Sequence, residues 1–220
     1  MSESTVQRKR RAQIIYKKLD STYPKAGMML AYKNPWELTV SVVLSAQCTD
    51  KKVNEVTAEL FKKYRTLDDC VHTSQNEFEK DIYATGFYRQ KAKNILASAK
   101  KVKQEFGGKV PGTMEELLTL PGVARKTANI ILGNAFKIFE GIAVDTHVRR
   151  LSQRLGFTTQ ENPEKIEQDL MALFSQKKWF NLTYLLIEHG RAICASQKPK
   201  CDQCLLAKKC PAAFMFPHFK

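Results

Sequence analysis

The stretch Leu120-Pro121-Gly122-Val123-Ala124-Arg125-Lys126-Thr127-Ala128 constrains the fold of this chain more than any other. Thr113 and Glu116 stand three residues apart just before it. That is the spacing of a capping box, and it predicts a short helix ending near Leu120. Pro121-Gly122 stops that helix and turns the chain. Apolar residues at Ile130, Ile131, Ala135 and Ile138 then predict a second helix. Two helices joined by a tight hairpin leave the first N–H groups of the second pointing outward, toward any nearby anion. Lys126 stands in the first turn of that second helix, where the positive end of the helix dipole disfavours its charged form. An amine that gives up its proton is a nucleophile. The same turn is also a common connector, and a lysine there equally reads as a solvent-facing cation.

The remaining punctuation is helical as well. Asn34-Pro35 is a cap followed by a first-turn proline, and Asn162-Pro163 repeats the signal. Apolar residues recur at helical spacing over Trp36 to Leu44, Val53 to Tyr64, Ala92 to Phe106, Ile166 to Phe174 and Trp179 to His189, with Gly107-Gly108 ending the third run. No sustained alternating segment predicts a sheet, and there is no internal repeat or low-complexity linker. An all-α fold is expected, and 220 residues suffice for one large domain or two small ones.

A formal net charge of +14 points to a polyanionic partner, nucleic acid before an acidic membrane surface. The charge is spread along the chain; its densest early run, Arg8 to Arg11, reads as the start of a solvated helix. No apolar run is long enough to cross a bilayer, and the polar N-terminus lacks the core of a signal peptide. An intracellular location is therefore expected, where cysteines stay reduced.

Four of the six cysteines then need another explanation. Cys194, Cys201, Cys204 and Cys210 follow the pattern C-x6-C-x2-C-x5-C. Four thiolates select zinc or an iron–sulfur cluster, and softness alone does not separate the two. Cys48 and Cys70 lie far off and are expected to be buried as small hydrophobes. Asp145, in Val144-Asp145-Thr146-His147, is a second catalytic candidate, although aspartate at a helix start is also an ordinary cap. His147 reads as structural.

Hairpin, Lys126, Asp145 and the four cysteines, in this order, resemble endonuclease III, a family of helix-hairpin-helix DNA glycosylases. The likeness extends to Leu44-Ser45-Ala46-Gln47-Cys48-Thr49-Asp50 and to His189-Gly190-Arg191, so that it covers nearly the whole chain. The resemblance implies two helical domains flanking a cleft. Residues 27–137 would form a six-helix barrel with the helix-hairpin-helix motif, and residues 1–26 with 138–220 would carry a [4Fe-4S] cluster held by the four cysteines. It further implies a monomeric enzyme of base excision repair, cytoplasmic and nucleoid-associated, acting on duplex DNA that contains an oxidised or ring-saturated pyrimidine or an abasic site.

On that reading Lys126 and Asp145 are catalytic. Lys126 attacks the sugar of a flipped-out nucleotide, and a Schiff base and β-elimination follow. Asp145 stabilises positive charge on the sugar and assists proton transfer. Gly122 and Ala124 belong to a hairpin that grips the DNA backbone through main-chain N–H groups. Where the family often has a second glycine, this chain has Ala124, and a left-handed backbone there would cost an alanine. Gln47 matches the glutamine that fills the hole left by the flipped base, and Phe87 aligns with an apolar wedge; an amide at a helix end and a core phenylalanine are the plainer readings. Lys198 and Lys200, between the first two cysteines, read as phosphate contacts or as solvated charge. Two alternatives stand beside this reading. One is an adenine-mismatch glycosylase that only removes the base; the other is a non-enzymatic DNA-binding module stapled by zinc.

Overall fold

Among the described residues, eight of the eleven α-helices begin at a residue whose side chain accepts a first-turn N–H, which shows how locally their starts are specified. In the computed structural model, which describes residues 3–219, these are α1 (Thr5–Thr22) at Ser4, α2 (Pro35–Leu44) at Asn34, α3 (Asp50–Lys63) at Thr49, α4 (Leu67–His72) at Thr66, α5 (Gln75–Ile82) at Ser74, α7 (Met114–Leu118) at Thr113, α9 (Thr146–Arg154) at Asp145 and α10 (Pro163–Leu173) at Asn162. The other three, α6 (Tyr88–Glu105), α8 (Arg125–Ile131) and α11 (Gln176–Ala192), start at Phe87, Ala124 and Ser175 without a side-chain cap. Several short 3₁₀ turns complete the chain, and the described residues contain no strand. The fold is all-α, as the sequence pattern requires.

The chain divides into two units, Met29–Ile138 and a second made of Met1–Met28 with Phe139–Lys220. In the first, α2 is buried on every side from Leu38 to Leu44 and packs against α3, α6 and α8. A helix apolar all round belongs at the centre of its core. A second cluster gathers Val102, Leu117, Leu120, Val123, Ala128 and Ile131 beneath the hairpin. The helix after the hairpin departs from the expected stripe. It continues beyond Ile131 as a π-helical turn, Leu132–Phe136, and ends at Lys137 with φ +59°. The wider turn breaks the helical register, and Ile138, expected on the apolar face, is 37% exposed.

In the second unit α1 contributes Ile15 and Leu19, α9 Val148 and Leu151, α10 Ile166 and Leu170, and α11 Leu182 and Leu186 to one core. Gly190 lets α11 approach α9: a Cβ there would stand 2.7 Å from His147 Nδ1 and 3.0 Å from Arg150 Nη2. No helix among the described residues is long and apolar enough to cross a membrane.

Candidate functional site

The hairpin is shaped by one glycine. Gly122 has φ +81°, a region that L side chains rarely adopt. A Cβ at this position would also meet Asn94 of α6, 2.8 Å from its Nδ2 and 3.0 Å from its Cβ. Ser98, one turn further along α6, donates its hydroxyl to Pro121 O at 2.8 Å. Thus α6 braces the turn from below. Ala124 has φ −94° and ψ 171°, ordinary extended backbone, so alanine carries no left-handed penalty here. With no side chain capping α8, its start is left to other acceptors. Lys126, the second residue of α8, is exposed.

Gln47 and Phe87 occupy two other turns of the same unit. Gln47 is exposed just after α2, with φ +53°. Phe87 is 65% exposed with φ +48°, so it does not pack in the core. Tyr83 is 66% exposed beside it and lies against Tyr88, ring centroids 4.8 Å apart.

In the other unit Asp145 is half-buried, and its Oδ1 accepts from Val148 N–H at 2.7 Å. The carboxylate therefore caps α9, as the plainer reading held, and is fixed in orientation by doing so. His147 Nδ1 lies 3.1 Å from Arg150 Nη2.

None of Cys194, Cys201, Cys204 and Cys210 is in a disulfide, and all four line one apolar cavity. Leu151, Leu155, Ile193 and Phe216 supply much of its remaining wall. Burial pushes the Cys210 thiol up to about 11, and the neighbouring cysteines add to the shift. Cys204 is shifted upward for the same reasons, opposed by the N–H groups of Leu206 and Ala207. Four sulfurs facing an apolar cavity are costly to ionise without a cation among them. Arg154 Nη1 reaches Cys194 Sγ at 3.3 Å, while its guanidinium carbon lies 4.6 Å from the centroid of the Phe216 ring. No group of three or more His, Cys, Asp or Glu among the described residues is gathered to hold a metal ion; the thiols ring the cavity instead. Lys198, with φ +47°, and Lys200 are exposed on either side of the buried Pro199.

Two residues at this cavity escape sequence reasoning as site residues. His189 sits in the apolar stripe of α11 and is 2% exposed. Its Nε2 lies 3.5 Å from Cys204 Sγ, its Nδ1 3.0 Å from Tyr23 Oη, and burial pushes its pKa down to about 4. Arg154 is forty residues from its sulfur partner, and no local spacing signals such a contact. Of the two remaining cysteines, Cys70 is buried as expected, whereas Cys48 is half-buried, because it follows Gln47 in an exposed turn.

An all-helical chain with a glycine-turned hairpin and a ring of four thiols defines a narrow class, and comparison with known proteins gives it a name. Residues 40–176 match the HhH-GPD superfamily of base excision DNA repair proteins. Endonuclease III of Synechocystis sp. (strain ATCC 27184 / PCC 6803 / Kazusa) is 51% identical over 206 residues, 94% of each chain. Two solved structures of endonuclease III, one a non-covalent complex with DNA and one a trapped covalent intermediate with DNA, each match with a TM-score of 0.90. Each is 40% identical to this chain, covering 93% of it and 96% of the other. The chain belongs to the HhH-GPD superfamily and, within it, to the endonuclease III family.

Proposed function

We propose that the chain is a bifunctional DNA glycosylase and abasic-site lyase of base excision repair, acting on duplex DNA with oxidised or ring-saturated pyrimidines. The observation that carries this reading is the exposed Lys126 directly after the Gly122 turn, in a chain 40% identical to an endonuclease III trapped covalently on DNA. The Met29–Ile138 unit is read as the six-helix barrel, and the unit of Met1–Met28 with Phe139–Lys220 as the cluster-bearing one. Gly122 and Ala124 hold a backbone phosphate through N–H groups, Gln47 and Phe87 occupy the opened helix, and Lys198 and Lys200 contact phosphate.

The chemistry runs through two side chains. Lys126 Nζ, as the free amine, attacks C1′ of the everted nucleotide, and the damaged base leaves with the bonding electron pair and takes up a proton. Asp145 stabilises the positive charge that builds on the sugar. The C1′–O4′ bond then breaks, O4′ takes up a proton from solvent, and the ring-opened iminium acidifies C2′–H; loss of that proton expels the 3′ phosphate and cuts the strand. Hydrolysis of the imine returns Lys126.

The family carries an iron–sulfur cluster. Four thiols lining one apolar cavity without being drawn together around a single point suit a polynuclear [4Fe-4S] group, whereas a single zinc ion needs its sulfurs drawn in to about 2.3 Å. Cys194, Cys201, Cys204 and Cys210 would hold the cluster, which supplies a cross-link for the chain segments that wrap it. The purified protein should be yellow-brown and contain about four irons per chain. A colourless, zinc-containing protein contradicts the assignment.

Borohydride reduction tests the reaction. Wild-type protein should be trapped covalently on an abasic-site duplex, and Lys126→Ala should lose the trap. Asp145→Asn separates the cap from the chemistry, since asparagine caps a helix about as well as aspartate. Its melting temperature should stay near wild type while turnover falls by about a hundredfold or more. Equal turnover of Asp145→Asn and wild type contradicts the catalytic role.

A further inference from the structure

Lys91, the fourth residue of α6, is only 4% exposed. An ammonium so nearly removed from water needs strong partners. Its Nζ donates to Leu44 O and to Thr85 O, each at 2.8 Å. Both partners are carbonyls, and burial holds its pKa below the usual lysine value.

The identity of those carbonyls is informative. Leu44 is the last residue of α2, and the final carbonyls of a helix have no donor within it. Ser45 N–H takes Ser41 O, Ser45 Oγ–H takes Val42 O, Ala46 N–H takes Val43 O, and Lys91 takes Leu44 O. The cation thus completes the C-terminus of α2 at the negative end of its dipole. Gln47 follows three residues later in a left-handed turn. Thr85 immediately precedes Gly86 and Phe87, which are left-handed in succession, at φ +68° and +48°. The backbone N–H of Lys91 in turn donates to Phe87 O at 3.1 Å. One residue therefore clamps both turns, although their sequences lie some forty residues apart.

We infer that Lys91 is a positioning residue for damage recognition: its ammonium ties the turn bearing Gln47 to the turn bearing Phe87 and holds both side chains outward for the opened duplex. This role rests on the reading of Gln47 and Phe87 as DNA contacts. Lys91 itself touches no substrate.

The test is hydrogen exchange of the full protein by mass spectrometry, together with affinity for an abasic-site duplex. In Lys91→Met, amides of residues 45–48 and 85–88 should exchange faster, while those of the hairpin, residues 120–128, keep their protection. Abasic-duplex affinity should fall about tenfold, and nicking of a single-stranded abasic oligonucleotide, which has no opposite strand to hold apart, should be unchanged. Combined with Gln47→Ala, the loss in affinity should be less than the product of the two single losses. If Lys91→Met does not fold, Lys91→Gln, which keeps donors but loses the charge, takes its place and should show the same pattern more weakly. Unchanged exchange in both turns overturns the tie, even if Gln47→Ala weakens binding. Multiplicative losses in the double variant overturn the coupling. Loosened turns with undiminished affinity in Lys91→Met, Gln47→Ala and Phe87→Ala alike overturn the recognition role, and locate the failure in the reading of Gln47 and Phe87 rather than in the clamp.

Discussion

At Gly122 a side chain is excluded twice, by a φ of +81° and by Asn94 beneath it. Two residues on, at Ala124, the backbone is extended and any residue fits. The pair explains how the hairpin forms here with one glycine. Cys70 offers a residue-scale measurement. It is 3% exposed, and burial pushes its thiol from the ordinary 9.0 up to about 11. Between those values the unfolded chain ionises this thiol and the folded chain does not, so stability is intact below pH 9 and lost as pH rises toward 11. A gap of about two pH units corresponds to about 3 kcal/mol. Urea unfolding of wild type and Cys70→Ala across this range should show the wild type losing about that much relative to the variant. Parallel pH dependences would contradict the buried-thiol account.

Between elements, the least forgiving contact is α9 against α11 at Gly190. Alanine would ordinarily favour a helix interior by about 1 kcal/mol. Here its Cβ would stand 2.7 Å from His147 Nδ1, 3.0 Å from Arg150 Nη2 and 3.3 Å from Leu151 Cδ1. Gly190→Ala is expected to destabilise by about 1–3 kcal/mol net, read as a lower melting temperature. A rise in melting temperature would show that the propensity gain wins. The same contact marks what sequence reasoning could reach. Helix starts were legible because Asn34, Thr113 and Asn162 announce them within three residues. The end of α8 was not, because a π-helical turn leaves no mark in apolar spacing. The cysteine ring was legible from its spacing. Arg154 and His189 beside it were not, since one contact spans forty residues and the other hides a polar group within an apolar stripe. Lys91 carries no signal in the sequence, because nothing local reports that Leu44 and Thr85 need a donor.

For the whole molecule, the net charge of +14 and the endonuclease III relationship set the same expectation of a phosphate-rich partner. Charge alone describes many DNA-binding proteins. What separates an enzyme from a module that merely binds is one amine able to bond to a sugar carbon. The chain's other lysines surround that question with alternatives, among them exposed Lys198 and Lys200. Peptide mapping of the borohydride-reduced complex decides among them. Wild-type protein is reduced on an abasic-site duplex, digested with protease and nuclease, and the sugar remnant located by mass spectrometry. The mass increment should sit on Lys126. An increment on another lysine, with Lys126 recovered unmodified, would contradict the account.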